Sequence, residues 1–175
     1  MASQPGVGWG ANYFGWGPVF SQSVAVVFDT YANSGDPSIP YMGVSLDGTP
    51  SSLTTYTGSM RTFSNGSTWS CWLDYNGATQ SLEVRLASSS TRPALTTLQT
   101  TLNLYTIIGQ SIMYLGFGAG SSGSYSIPVI SAFSYAVTSI PESIPSFSNL
   151  FIFFFVSLLT ESPLFLLSCF FFFFD

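Results

Sequence analysis

Ser23-Val24-Ala25-Val26-Val27-Phe28-Asp29-Thr30-Tyr31, followed at once by Ala32-Asn33-Ser34-Gly35-Asp36-Pro37, is the stretch that decides how this chain is read. Its first nine residues are mostly β-branched and aromatic, and the next six are turn formers, so a buried strand runs directly into a loop. A carboxylate at the apolar end of such a strand is costly to bury alone, which leaves Asp29 bonded either to backbone amides or to a cation. The loop spaces oxygen donors at Asp29, the Tyr31 carbonyl, Asn33 and Asp36, the hard set that calcium prefers, although Asx residues also crowd ordinary turns. The spacing does not match an EF-hand.

Outward from this stretch the strand-and-turn pattern repeats. Tyr41 to Leu46 is a second strand, closed by the tight-turn pair Asp47-Gly48. From Thr68 to Tyr75 the side chains alternate, with Trp69, Cys71, Leu73 and Tyr75 on one face and Ser70, Trp72 and Asp74 on the other. Asn76-Gly77 opens a turn. Ser81 to Leu86 returns with Leu82, Val84 and Leu86 opposed to Ser81, Glu83 and Arg85, the clearest hairpin in the sequence. Met113 to Phe117 and Val129 to Val137 predict two further strands, joined through the Gly/Ser-rich segment that begins at Ala119-Gly120. Short strands at regular spacing, with Gly, Ser, Asn and Pro between them, imply an all-β antiparallel sandwich or jelly roll.

Composition excludes several classes of chemistry. Of 175 residues, 46% are hydrophobic and only 6% charged, with 3 Lys+Arg, 8 Asp+Glu and a net charge of −5. All three basic residues are arginine, so no basic stripe exists to neutralise phosphates, and nucleic acid is set aside as a partner. There is no histidine, which removes Ser-His-Asp and Cys-His mechanisms and His-ligated zinc. Without lysine, Schiff-base chemistry and the phosphate-loop signature are gone as well. The two cysteines, Cys71 and Cys169, lie in segments of different character and are read as unpaired.

With these residues in view, Val24 to Asn33 and Asp36-Pro37-Ser38-Ile39-Pro40-Tyr41-Met42-Gly43-Val44 closely resemble the metal-loop signature of legume-type (L-type) lectins. Asp74-Tyr75-Asn76 through Leu86 resembles a later hairpin of that family. Leu115-Gly116-Phe117-Gly118-Ala119 with Ile130-Ser131-Ala132-Phe133-Ser134-Tyr135 resembles its closing segment. The resemblance spans about Gly8 to Val137, and it implies a concanavalin A-like jelly roll whose loops bind a sugar beside a metal.

Carried over residue by residue, the resemblance makes Asp29, the Tyr31 carbonyl, Asn33 and Asp36 calcium ligands. The family's manganese site does not carry over, because its glutamate falls at Val27 and its histidine at Tyr41. Sugar contacts are implied for Asn33 and the Tyr31 ring, for the backbone of Gly8 or Gly10, and for Gly123 and Ser124 in the closing loop. As plain sequence, Tyr31 has a lesser alternative as a core aromatic, and Gly120 to Ser126 reads equally as a simple connecting loop. The function implied is a carbohydrate-binding lectin domain acting on glycans, and the alternative is a non-binding, lectin-derived fragment or structural β-domain. Catalysis on the same sandwich would need two carboxylates across a cleft. Asp29 and Asp36 are better used by calcium, and Asp47, Asp74, Glu83 and Glu142 fall on hairpins or near the tail, so no enzyme is expected.

The two ends of the sequence differ from its body. Family members carry an aspartate upstream of the Gly-rich segment, and no aspartate precedes Asp29; the jelly roll is therefore expected to be incomplete at its N-terminus, lacking the partner strands of Val129 to Val137. At the other end, eleven of the 17 Phe lie between Phe147 and Phe174. The Pro and Ser-rich linker and Phe-rich tail, 141–175, are expected to stand outside a sandwich formed by 1–140, as a membrane anchor or a non-native extension. Glu161 and Pro163 divide the tail into pieces each too short to span a bilayer as a helix, so a helical or irregular appendage is predicted. Deletion after Ser146 is then expected to leave the β domain's melting temperature unchanged. Asn65-Gly66-Ser67 is an N-glycosylation sequon, consistent with a secretory-pathway, extracellular or membrane-associated protein, though no signal peptide is visible. A homo-oligomer is compatible with all of this.

Overall fold

The computed structural model describes residues 22–29, 41–46, 53–58, 67–109, 114–120, 129–137, 151–159 and 166–172. They form ten strands: β1 (Ser23–Asp29), β2 (Tyr41–Leu46), β3 (Leu53–Gly58), β4 (Thr68–Asn76), β5 (Ser81–Ala87), β6 (Leu98–Thr101), β7 (Tyr114–Gly120), β8 (Val129–Val137), β9 (Phe151–Leu159) and β10 (Leu166–Phe172). One short helix, α1 (Leu104–Ile108), lies between β6 and β7. Every strand pair is antiparallel, in two five-stranded sheets ordered β3-β2-β1-β10-β7 and β6-β5-β4-β9-β8. The expected antiparallel sandwich is the fold observed.

The core lies between the sheets. Val24, Val26, Phe28, Met42 and Val44 of the first sheet pack with Cys71, Leu73, Tyr75, Leu82, Val84 and Leu98 of the second, and α1 adds Leu104 and Ile108. In β4 the predicted inward set is the one observed, with Cys71, Leu73 and Tyr75 in the core and Trp69 packed at its margin. All seven residues of β1 are buried. Such a strand is covered on both faces, which is why its sequence reads as a continuous apolar run rather than an alternation.

Local chemistry fixes the joints. Asn76 Oδ1 accepts from the backbone N–H of Ala78 at 3.0 Å and of Thr79 at 3.2 Å, an Asx-type turn that closes β4 onto β5 with Asn76 opposite Ser81. Asn103 caps α1 by accepting from the Thr106 N–H at 3.0 Å, and Gly109 ends the helix at φ 71°, a left-handed conformation that glycine takes without strain. The sequence reading did not identify β3, β6 or α1: β6 is four residues long and α1 five, too short for a periodic signal.

The tail is where the structure departs from expectation. It stands inside the sandwich, as strands rather than a helical or irregular appendage. β9 lies between β4 and β8, and β10 lies between β1 and β7. Phe, Val and Ile are strong strand formers, and an interior strand bonded on both edges tolerates an unbroken apolar run, so the physics that argued against an exposed tail favours a central one. The interruption at Glu161-Ser162-Pro163 falls between the two strands in the sequence. β8, expected to lack a partner, pairs with β9 from Val129 to Val137 with one register shift at Ile130/Ala132. Among the described residues no helix is long and apolar enough to cross a membrane.

Candidate functional site

One row of the first sheet collects the ends of its loop-bearing strands. Across it run Gly58 of β3, Tyr41 of β2, Asp29 of β1, Leu166 of β10 and Gly120 of β7, each opposite the next. Segment 30–40, with most of the candidate metal ligands, leaves this row at Asp29 and returns to it at Tyr41. Segment 121–128, which carries Gly123 and Ser124, leaves it at Gly120. Asp29 and Gly120 are two strand spacings apart, roughly 10 Å. The row therefore brings together two strand ends, Asp29 and Gly120, that stand ninety-one residues apart in the sequence.

Asp29 is the member of the candidate metal set that lies among the described residues. It is 1% exposed. Phe28 points into the core, so by strand alternation Asp29 points to the opposite face, together with Val27 two residues earlier and with its cross-strand neighbour Tyr41. All three are buried on that face. A carboxylate enclosed at a strand end suits a cation. The neighbouring positions on that face, Val27 and Tyr41, supply an isopropyl group and a phenol. Tyr31, Asn33, Asp36, Gly8, Gly10, Gly123, Ser124 and the sequon at Asn65 lie outside the described residues. Among the described residues no three His, Cys, Asp or Glu side chains come together.

A second polar feature occupies the outer face of the other sheet, and the sequence reading passed over it. Asp74 and Glu83 stand directly opposite one another on β4 and β5, a like-charge pairing that is unfavourable alone. Arg85 bridges them, donating from Nη1 to Asp74 Oδ2 and from Nη2 to Glu83 Oε2, each at 2.6 Å. Arg92, from the segment after β5, donates to the same Asp74 oxygen. Asp74 Oδ1 is buried and makes no hydrogen bond among the described residues. Burial raises the Asp74 pKa above the usual 3.8, outweighing the lowering effects of Arg92 and Arg85. Asp74, Glu83 and Arg92 line an open depression of about 550 Å³ with Asn76, Gln99 and Thr101. Both carboxylates are held by guanidinium groups, which makes the cluster a tie across the hairpin rather than an acid-base pair.

The comparisons with known proteins agree with the fold. A family model described as the legume lectin domain matches residues 17–149. The match includes β1 through β8 and ends before β9. None of the curated proteins matches the chain.

Proposed function

This chain belongs to the legume lectin domain family, a family of non-enzymatic carbohydrate-binding domains, and we propose that it binds the monosaccharide or terminal residue of a glycan at the sheet edge formed by Asp29 and Gly120. The observation that carries the reading is their shared row, which sends the metal-type loop and the Gly/Ser loop out of the same edge.

Asp29, the Tyr31 carbonyl, Asn33 and Asp36 are the residues that would hold calcium, and the enclosed carboxylate of Asp29 fits that role. When bound, calcium supplies charge compensation for the two aspartates and order for the loop between β1 and β2. Asn33 then has its amide NH2 available to donate to a sugar hydroxyl while its oxygen faces the ion. The Tyr31 ring offers a flat face to the apolar side of a pyranose. Backbone N–H groups of Gly8 or Gly10, and of Gly123 and Ser124, complete the set of donors. Val27 and Tyr41 make the site a calcium site without manganese.

Retention on a panel of immobilised monosaccharides and glycoprotein glycans, with calcium and after its removal by chelation, tests the proposal. Calcium-dependent retention that is lost in Asn33→Ala is expected. Retention that survives both changes overturns it, and failure to bind any resin favours the non-binding β-domain. We also assign the protein to the secretory route on the Asn65 sequon, with a mobility shift on endoglycosidase treatment as the expected sign and an unshifted band as the contrary one.

A further inference from the structure

We propose that the C-terminal strand pair is an exchangeable donor, and that two copies of this chain trade tails, β9 and β10 of each filling the slots of the other in a strand-swapped dimer. The topology carries the inference. β1, β2 and β3 form one run of sequence-adjacent antiparallel strands and β4, β5 and β6 another, whereas among the described residues β7 and β8 join their sheets only through β10 and β9. The last two strands of the sequence are thus interior in both sheets. Withdrawing them leaves two acceptor slots. One lies between β1 and β7, with seven register positions on each side, and the other between β4 and β8, with nine positions on the β4 side. Slots of this kind expose unpaired N–H and C=O groups on both walls and demand an extended strand.

The tether is long enough for that strand to come from elsewhere. β8 ends at Val137 and β9 begins at Phe151, so 13 residues, 138–150, connect neighbouring antiparallel strands that a two-residue turn could join. Extended, that connector reaches on the order of 45 Å, and it includes Pro141 and Pro145. The tail can therefore reach the slots of a second copy while β1 to β3 and β4 to β6 keep their own pairings. A tether of this length also gives the chain's own tail an effective concentration in the millimolar range. Micromolar chains close on themselves, and exchange grows as the concentration during folding approaches that range. Reciprocal exchange is a closed, two-fold arrangement, so it stops at the dimer. In it, the row from Asp29 to Gly120 is completed by the partner's Leu166, and neither sheet edge is intact without the second copy.

Engineered cysteines in the full chain test this without reference to sugar binding. Ala136 and Phe153 are cross-strand partners. In Ala136→Cys/Phe153→Cys, oxidised glutathione should convert the two thiols to an intramolecular disulfide and leave two reduced glutathiones. Chains carrying only Ala136→Cys are then mixed with chains carrying only Phe153→Cys, unfolded together, and refolded at rising concentration before oxidation. A disulfide-linked heterodimer whose yield rises with concentration is expected. Tyr135→Cys with Phe154→Cys, the next register position, covers the case in which the first pair fails to fold or is poorly aligned. Phe153→Cys mixed with Leu95→Cys, at an exposed residue, measures random collision. Absence of the intramolecular bond in both double variants, or a heterodimer yield no higher than that control, overturns the proposal.

Discussion

Asp29, the last residue of β1, and Gly120, the last residue of β7, lie in one row of the first sheet with only Leu166 of β10 between them. The spacing follows from strand order alone. It makes a single edge out of the end of the metal-type strand and the start of the closing loop, and it makes that edge depend on a strand from the tail.

Asp29→Asn keeps the shape of the buried side chain while removing its charge. If the carboxylate serves a cation, calcium affinity measured by titration calorimetry should fall on the order of tenfold or more, since ligand charge sets affinity in oxygen sites. Unchanged calcium affinity with a folded chain would show that Asp29 is satisfied by the protein.

A chain ending at Ser146 lacks both interior strands. Four strand edges, on β1, β7, β4 and β8, lose their partners. The expected result is an insoluble product or one with no cooperative thermal transition, the opposite of what a tail outside the sandwich would give. Retention of the full chain's melting temperature would remove β9 and β10 from the fold.

Tyr75 ties the second sheet to α1. Its hydroxyl donates to the Leu102 carbonyl at 3.2 Å and accepts from the Leu104 N–H at 3.3 Å, in a buried setting. Tyr75→Phe leaves both backbone groups without that partner and should lower stability by about 1–3 kcal/mol. Urea unfolding reads this as a lower midpoint at unchanged slope; a midpoint equal to that of the parent would show that water replaces the hydroxyl.

Asp74 sets a pH dependence of definite sign. Its folded pKa is raised above 3.8, mainly by burial. Folding thus favours the protonated form, and the stability this contributes is full below 3.8 and lost as pH rises through the folded value. Asp74→Asn lacks that step. The stability difference, parent minus variant, should therefore shrink as pH rises across this window and then level off. A difference that grows with pH would mean that Arg85 and Arg92 outweigh burial.

The all-β class, the β1, β2, β4, β5, β7 and β8 strands and the inward face of β4 were legible in the sequence because each rests on local signals: β-branched and aromatic runs, alternation such as Trp69-Cys71-Leu73-Tyr75, and turn pairs such as Asn76-Gly77. The buried carboxylate of Asp29 was legible too, since it ends the run Val26-Val27-Phe28 and asks for a partner whatever the fold. The polar tie was not. Asp74, Arg85 and Arg92 meet only because β4 and β5 pair in one register and the following segment turns back over them.

The tail marks the limit most clearly. By itself the sequence determined that Phe151–Leu159 and Leu166–Phe172 could not rest in water. It could not say where they go, because an apolar run has no alternation to indicate a face and its hydrogen-bond partners lie far away in the chain. Tertiary structure decided that, pairing β10 with β1 and β7 and β9 with β4 and β8. The physical reason is that strand order is set by non-local hydrogen bonds between backbones, which every residue type offers alike, whereas sequence patterning records only which side chains must be buried.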